Sequence, residues 1–188
     1  MVSASWIAYS LLVGLVALER LYELRLSARN AAWAFERGGV ERGQGHFGAM
    51  KVLHTAFLFA CPLEVLLLDR PLIPALAATM TLVLLGTMAL RYWAISTLGV
   101  RWNTRVICVP DLPAVDGGPY RYVRHPNYVA VVLELAALPL IHSAWLTALV
   151  FGVANLALLR VRIRVEEDAL AELCAYDERM TDRPRFVP

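Results

Sequence analysis

The chain has 188 residues, 59% of them hydrophobic and 18% charged, with a formal net charge of +2. Soluble domains are about 45–50% apolar and about 25% charged, and the excess here is gathered into runs the length of a membrane span. That excludes a disordered chain and a soluble enzyme; the small net charge argues against nucleic acid as a partner, and the three cysteines lack the spacing of a disulfide framework or zinc site.

A single domain over 1–188 is expected, with three spans and a loop in 1–97 and a distinct core in 98–188. The first span is Ser5–Leu24. No basic residue precedes its apolar run, and Glu19 and Arg20 follow the run directly, so it reads as a permanent span and not a cleaved leader. Glu19 and Glu23 lie one turn apart near its end. Gly38-Gly39 and Gly43-Gln44-Gly45 break the amphipathic extension that follows. The second span, Phe47–Leu68, carries His54, Cys61 and Glu64 on one face with Phe57. Asp69-Arg70-Pro71 turns the chain into the third span, Leu72–Thr97.

Residues 98–119, with Pro110, Pro113, Gly117, Gly118 and Pro119, read as extended cover containing a short strand at Val106–Val109. Spans over Pro126–Ile141 and Ser143–Leu159 follow. Each rises only about 24 Å against a hydrocarbon core of ~30 Å, so they read as a tight helical hairpin turned at Pro139–Ser143. Glu134 is the only charge of the fourth span, and Arg91 and Asn155 are placed to answer it from neighbouring spans. From Arg160 a last helix presents Ile163, Leu170, Leu173 and Met180 on one face, with Glu166 and Glu167 on or beside it.

The basic residues sort by loop. Five lie in 25–51 (Arg25, Arg29, Arg37, Arg42, Lys51), four in 98–125 (Arg101, Arg105, Arg121, Arg124) and six from Arg160 onward, against Arg70 alone on the other side. The positive-inside rule then gives an outer N-terminus and a cytoplasmic C-terminus. The expected fold is an all-α membrane protein of about five transmembrane helices, with a C-terminal helical hairpin and a cytoplasmic C-terminal helix.

Ionisable groups inside spans are costly and mark either interhelical glue or a polar cavity. Both readings stay open for Glu19, His54, Glu64 and Glu134. For the last helix the alternatives are surface pairing of Arg162 with Glu166 and of Arg164 with Asp168, or carboxylates turned inward to hold a cation. The densest constellation is Gly117-Gly118-Pro119-Tyr120-Arg121-Tyr122-Val123-Arg124-His125-Pro126-Asn127-Tyr128. Pro126 suits a first helical position, and the unsatisfied N–H groups of the following turn suit a carboxylate or phosphate. The plainer reading is a juxtamembrane Arg/Tyr anchor.

Gly118-Pro119-Tyr120, Arg124-His125-Pro126 and Tyr128, a helical hairpin, then Arg162, Glu166-Glu167 and Leu170 together resemble the isoprenylcysteine carboxyl methyltransferase family, across about residues 98–180. The resemblance implies an integral-membrane enzyme using S-adenosylmethionine and releasing S-adenosylhomocysteine, with no metal. It implies a cofactor held by Tyr120, Arg124, His125, Pro126, Tyr128, Arg162, Glu166 and Glu167, with Arg124, His125 and the helix N-terminus toward its carboxylate. Glu166 and Glu167 would face its ammonium or the nearby positive charge, and Tyr120 and Tyr128 would flank its nucleoside. Glu19-Arg20, Glu23-Leu24, Ser27-Ala28-Arg29-Asn30, Gly39, Glu41, Gly43, His46-Phe47 and His54 resemble a bacterial branch associated with type III polyketide synthases. That branch implies a bacterial inner membrane, a functional link to such a synthase, and O-methylation of a long-chain alkylpyrone or phenolic lipid entering sideways from the membrane lipids. His54 is the candidate base and Glu134 a weaker one, both from position. The segment Cys174–Arg179 departs from the family's tail pattern.

Other acceptors remain open, namely a prenylcysteine-type carboxylate or a lipid amine. A different class would be a non-catalytic scaffold or a transporter with His54 and Glu134 as proton relay, against which the lack of internal symmetry counts.

Overall fold

The computed structural model describes residues 3–110, 112–174, 180 and 182–186. Five α-helices account for most of them: α1 (Ala4–Phe35), α2 (Gln44–Leu67), α3 (Pro74–Leu98), α4 (Pro126–Leu140) and α5 (Trp145–Leu173). Four of these, all but α4, are long and apolar enough to cross a membrane. The large apolar side chains that α1 leaves exposed, among them Leu11, Leu15 and Leu18, suit lipid contact and not water. The chain is therefore a helical membrane protein. At fifteen residues, α4 rises about 22 Å, as short as the sequence predicts.

The first helix continues to Phe35 along the expected extension, about three turns beyond Leu24, because Ser27 and Asn30 are buried on it and make it a platform for the loop after α3. The structure departs from expectation in two places. The fifth span and the last helix are one continuous element, α5, since no residue between Leu159 and Arg162 breaks the i to i−4 ladder. Two three-residue strands interrupt the all-α pattern: β1 (Val40–Arg42) pairs antiparallel with β2 (Val106–Cys108), with Glu41 opposite Ile107. Only β2 was visible beforehand, as the β-branched run at Val106.

Local chemistry explains the boundaries. Ser3 caps α1, its hydroxyl accepting from the Trp6 N–H at 3.2 Å. Gly43 starts α2 at φ +65°, where a Cβ would strain the backbone and collide with the His46 ring and Val165. The turn between α4 and α5 falls at 141–144, later than expected, with Pro139 inside α4. The first turn of α5 is capped from α2: the Glu64 carboxylate accepts from the N–H groups of Leu146 (3.1 Å) and Thr147 (2.6 Å), and from Arg70 Nε at 2.9 Å. Glu64 is thus structural glue. α4 packs between α3 and α5, while α2 packs on both α1 and α5. The main core joins Val13 and Val16 of α1 to Phe57, Leu84, Leu135 and Leu138.

Candidate functional site

The loop after α3 is fixed to α1 by polar side chains. Asn30 donates to the carbonyls of Trp102 (2.7 Å) and Gly99 (3.2 Å), and Ser27 meets Asn103 Oδ1 at 2.7 Å and accepts from the Thr104 N–H at 3.0 Å. The β1–β2 pair adds an ion pair of 2.9 Å between Arg105 and Glu41. Held this way, the loop roofs a cavity of about 130 Å³ whose floor and walls come from the starts of α4 and the end of α5. A second cavity of about 90 Å³, reaching Asn30 and Trp33 of α1, shares several of its walls.

Tyr120, Arg124, His125, Tyr128, Arg162 and Glu166 all line the larger cavity. Sequence positions 120 to 128 and 162 to 166 therefore converge. Pro126 is the first residue of α4, and Gly118, at φ +53°, folds the preceding turn so closely on α3 that a Cβ would collide with Thr97. The Tyr128 hydroxyl is the pivot. It accepts from Arg162 Nε at 2.6 Å and donates to Glu166 Oε2. Arg162 and Glu166 are consequently not a surface pair: Arg162 is only 4% exposed, and both side chains turn inward to the same hydroxyl. Arg162 also donates to the Thr104 carbonyl at 2.8 Å and reaches the Met50 sulfur of α2 at 3.5 Å. Burial, reinforced by the Glu166 charge, pushes the Tyr120 phenol above its ordinary range, so that it stays neutral.

Glu166 and Glu167 divide their roles. Glu167 accepts from His125 Nε2 at 3.0 Å and from Arg185 Nη2 at 2.6 Å, and lies 3.5 Å from Arg124 Nη1. It organises the basic side of the cavity from behind, whereas Glu166 borders the cavity itself. The tail contributes too. The N–H groups of Arg124 and His125 donate to the carbonyls of Pro184 (3.0 Å) and Arg185 (3.1 Å), and Arg124 Nε donates to the Arg183 carbonyl at 2.8 Å. The N–H groups of Tyr128 and Val129 go to the His125 carbonyl at 3.1 and 3.2 Å. Fewer donors are therefore open at this helix start than the sequence leads one to expect. Of the tail positions that depart from the family pattern, 175–179 lie outside the described residues.

Sequence reasoning missed Trp102 and Asn127, which also line the cavity. Trp102 Nε1 and Asn127 Oδ1 are buried without a hydrogen-bond partner among the described residues. Asn127 stood in plain view inside the Arg-His-Pro segment; an indole in an irregular loop gives no periodic signal. No group of three or more metal-binding side chains occurs among the described residues.

His54 and Glu134 are not among the residues lining the cavity. They belong to a charged layer beneath it. Glu134 (5% exposed) lies 3.4 Å from Arg20 and 3.8 Å from Arg91. Arg91 grips Glu23 through Nε and Nη2, both at 2.6 Å, and Arg20 bonds Glu23 (2.6 Å) and Glu19 (2.8 Å). The expected answer of Arg91 to Glu134 is thus present. Asn155 is buried as well. His54 lies within electrostatic range of Glu134, Arg91 and Arg20, and its Nδ1 bonds the Met50 carbonyl at 2.9 Å. A carbonyl only accepts, so Nδ1 carries a proton, and in the neutral tautomer this leaves the lone pair on Nε2.

Spans long enough for a bilayer, and a polar cavity where an Arg-His-Pro helix start meets a Glu-Glu helix, mark a membrane protein with a built polar site. Residues 78–172 match the isoprenylcysteine carboxyl methyltransferase (ICMT) family, and the chain belongs to that family. It is a membrane methyltransferase by that membership. It is 35% identical over 167 residues to the uncharacterized protein YpbQ of Bacillus subtilis, covering 86% of this chain and 96% of the relative. An uncharacterized protein of Haemophilus influenzae is 28% identical over 155 residues, covering 82% and 90%.

Proposed function

We propose that the protein transfers a methyl group from S-adenosylmethionine to an oxygen of a lipid-like acceptor at the cytoplasmic face of a bacterial inner membrane. In this reading five helices span, the N-terminus lies outside and the C-terminus in the cytoplasm. The acceptor is a long-chain alkylpyrone or phenolic lipid, which would link the enzyme to a type III polyketide synthase. The observation that carries the proposal is that Arg124, His125, Tyr120, Tyr128 and Glu166 line one and the same cavity.

The residues fit the cofactor. A carboxylate suits Arg124 and His125, a positive charge suits Glu166, and the orphaned Trp102 N–H and Asn127 carbonyl offer a donor and an acceptor to neutral polar groups. When bound, the cofactor supplies a methyl group on a positively charged sulfur. The chain's part is to position and to exclude water: the roof pinned by Ser27 and Asn30 closes the cavity, and the buried Arg162–Tyr128–Glu166 bridge fixes its floor. An acidic enol or carboxylate reaches the site already ionised. A phenol of pKa about 10 needs a proton acceptor, and His54 Nε2 would serve, with Glu134 as the weaker candidate.

Titration of the purified protein with S-adenosylhomocysteine tests the proposal. His125→Ala and Glu167→Gln should each weaken binding by about ten- to a hundred-fold, as loss of a charge-assisted bond worth about 1.5–3 kcal/mol requires. Wild-type protein that binds neither S-adenosylmethionine nor its product would return the chain to the scaffold or transporter class. His54→Ala should lower turnover far more for a phenol than for an acidic pyrone; equal losses would make His54 a packing residue. A prenylcysteine-type carboxylate and a lipid amine are the competing acceptors to be tried beside them.

A further inference from the structure

The charged layer under the cofactor cavity is larger than the fold requires. Three carboxylates (Glu19, Glu23, Glu134) meet two guanidinium groups (Arg20, Arg91), with His54 alongside. Arg91 and Glu23 alone would tie α1 to α3. Several polar atoms of the layer are instead left without a hydrogen-bond partner among the described residues: Arg20 Nε, Arg91 Nη1 (3.8 Å from the Glu134 carboxylate) and Glu19 Oε1, together with Thr87 Oγ1 one turn from Arg91 on the same face of α3. Thr87 is 2% exposed and Arg91 7%. In hydrocarbon no solvent answers such atoms, so they mark a place that something polar enters. The Glu19–Arg20 pair, whose side chains each keep 16% of their surface open, is the exposed edge of the layer.

The layer is also correctly placed to meet the cofactor cavity. Glu134 lies six residues, or about 9 Å, beyond Tyr128 on the same helix, and His54 is one turn from Met50, whose sulfur touches Arg162. We propose that this layer seats the polar head of the methyl acceptor, and that it selects a head bearing hydrogen-bond-accepting oxygens and one hydroxyl over an amine. This rests on the methyltransferase reading above. The selection follows from the open atoms. Two are guanidinium N–H donors and a third is a hydroxyl, all of which an oxygen satisfies; only Glu19 Oε1 asks for a donor, which one acidic O–H supplies. An ammonium has three donors and no acceptor, and would leave both guanidinium donors and their hydrogen bonds unanswered.

The test uses full-length protein in nanodiscs, saturated with S-adenosylhomocysteine, and calorimetric titration with two amphiphiles of equal chain length, an alkylresorcinol and a primary alkylamine. The resorcinol is expected to bind and the amine not to. Thr87→Val and Glu19→Gln are expected to weaken resorcinol binding about five-fold each, on the scale of one lost hydrogen bond, with S-adenosylhomocysteine affinity unchanged. The Thr87→Val protein should unfold no earlier than wild type, because its hydroxyl has no internal partner to lose; a merely structural threonine would lower the unfolding temperature and leave resorcinol binding alone. Amine binding equal to that of the resorcinol, binding of neither, or unchanged resorcinol affinity in both variants overturns the proposal while leaving the cofactor reading intact. Failure of wild type to bind S-adenosylhomocysteine removes the cofactor reading and this one with it.

Discussion

Tyr128 holds two opposite charges with one hydroxyl, and the chemistry of the cavity floor depends on it. Removing that oxygen in Tyr128→Phe leaves Arg162 Nε and Glu166 Oε2 buried and unpaired. Each orphaned group costs about 1–3 kcal/mol, so thermal unfolding in detergent should fall by several degrees and S-adenosylhomocysteine affinity should drop with it. An unchanged unfolding temperature would show that Arg162 and Glu166 find each other without the tyrosine. The sequence names all three residues and leaves open whether Arg162 and Glu166 pair on the surface or turn inward. Spacing of four within one helix indicates that Arg162 and Glu166 can meet; it carries no information about a third group arriving from α4. Trp102 shows the same limit from the other side, because a residue in an irregular loop is placed only by what Asn30 does to its carbonyl.

At the scale of elements, the segment after α5 behaves as a strap across the Arg-His-Pro turn. Its carbonyls at Arg183, Pro184 and Arg185 take up Arg124 and His125, and the Arg185 side chain holds Glu167. A chain ended after residue 181 should keep its helical circular dichroism and lose about ten-fold in S-adenosylhomocysteine affinity, since the basic wall loses its support while no spanning helix is touched. Full affinity in the shortened chain would show that Glu167 alone suffices. The strap was illegible for a physical reason: it works through backbone carbonyls, which every residue has, so side-chain identity could not announce it. The helices were legible because a 3.6-residue period and a bilayer-length apolar run are properties of the chain itself. The extension of α1 was legible too, but not what its buried side holds, because Ser27 and Asn30 are polar and bind a loop more than sixty residues away.

For the whole molecule, the placement of fifteen basic residues against Arg70 predicts that all parts of the polar cavity share one face of the membrane. Fusion of a periplasm-active phosphatase to the N-terminus should give activity, and fusion to residue 188 should not; a fluorescent protein that folds only in the cytoplasm should report the reverse. Activity at both ends would mean an even number of crossings and would take α4 out of the count. The apolar helices and the motif cluster were accessible from sequence, whereas the pairing of β1 with β2 and the roof it forms required tertiary contacts that no local signal encodes.

Because α5 runs unbroken from its Glu64-capped first turn to the Glu166–Glu167 pair, its two ends cannot drift apart in evolution independently. One residue inserted between Asn155 and Arg162 would rotate everything beyond it by about 100° and advance it by about 1.5 Å, carrying Arg162 away from Tyr128. The helix acts as a ruler: the thickness of the membrane and the phase of the cofactor site are written in the same stretch of chain. Relatives adapted to thicker or thinner bilayers should therefore differ in this helix by whole turns, three or four residues at a time, or not at all.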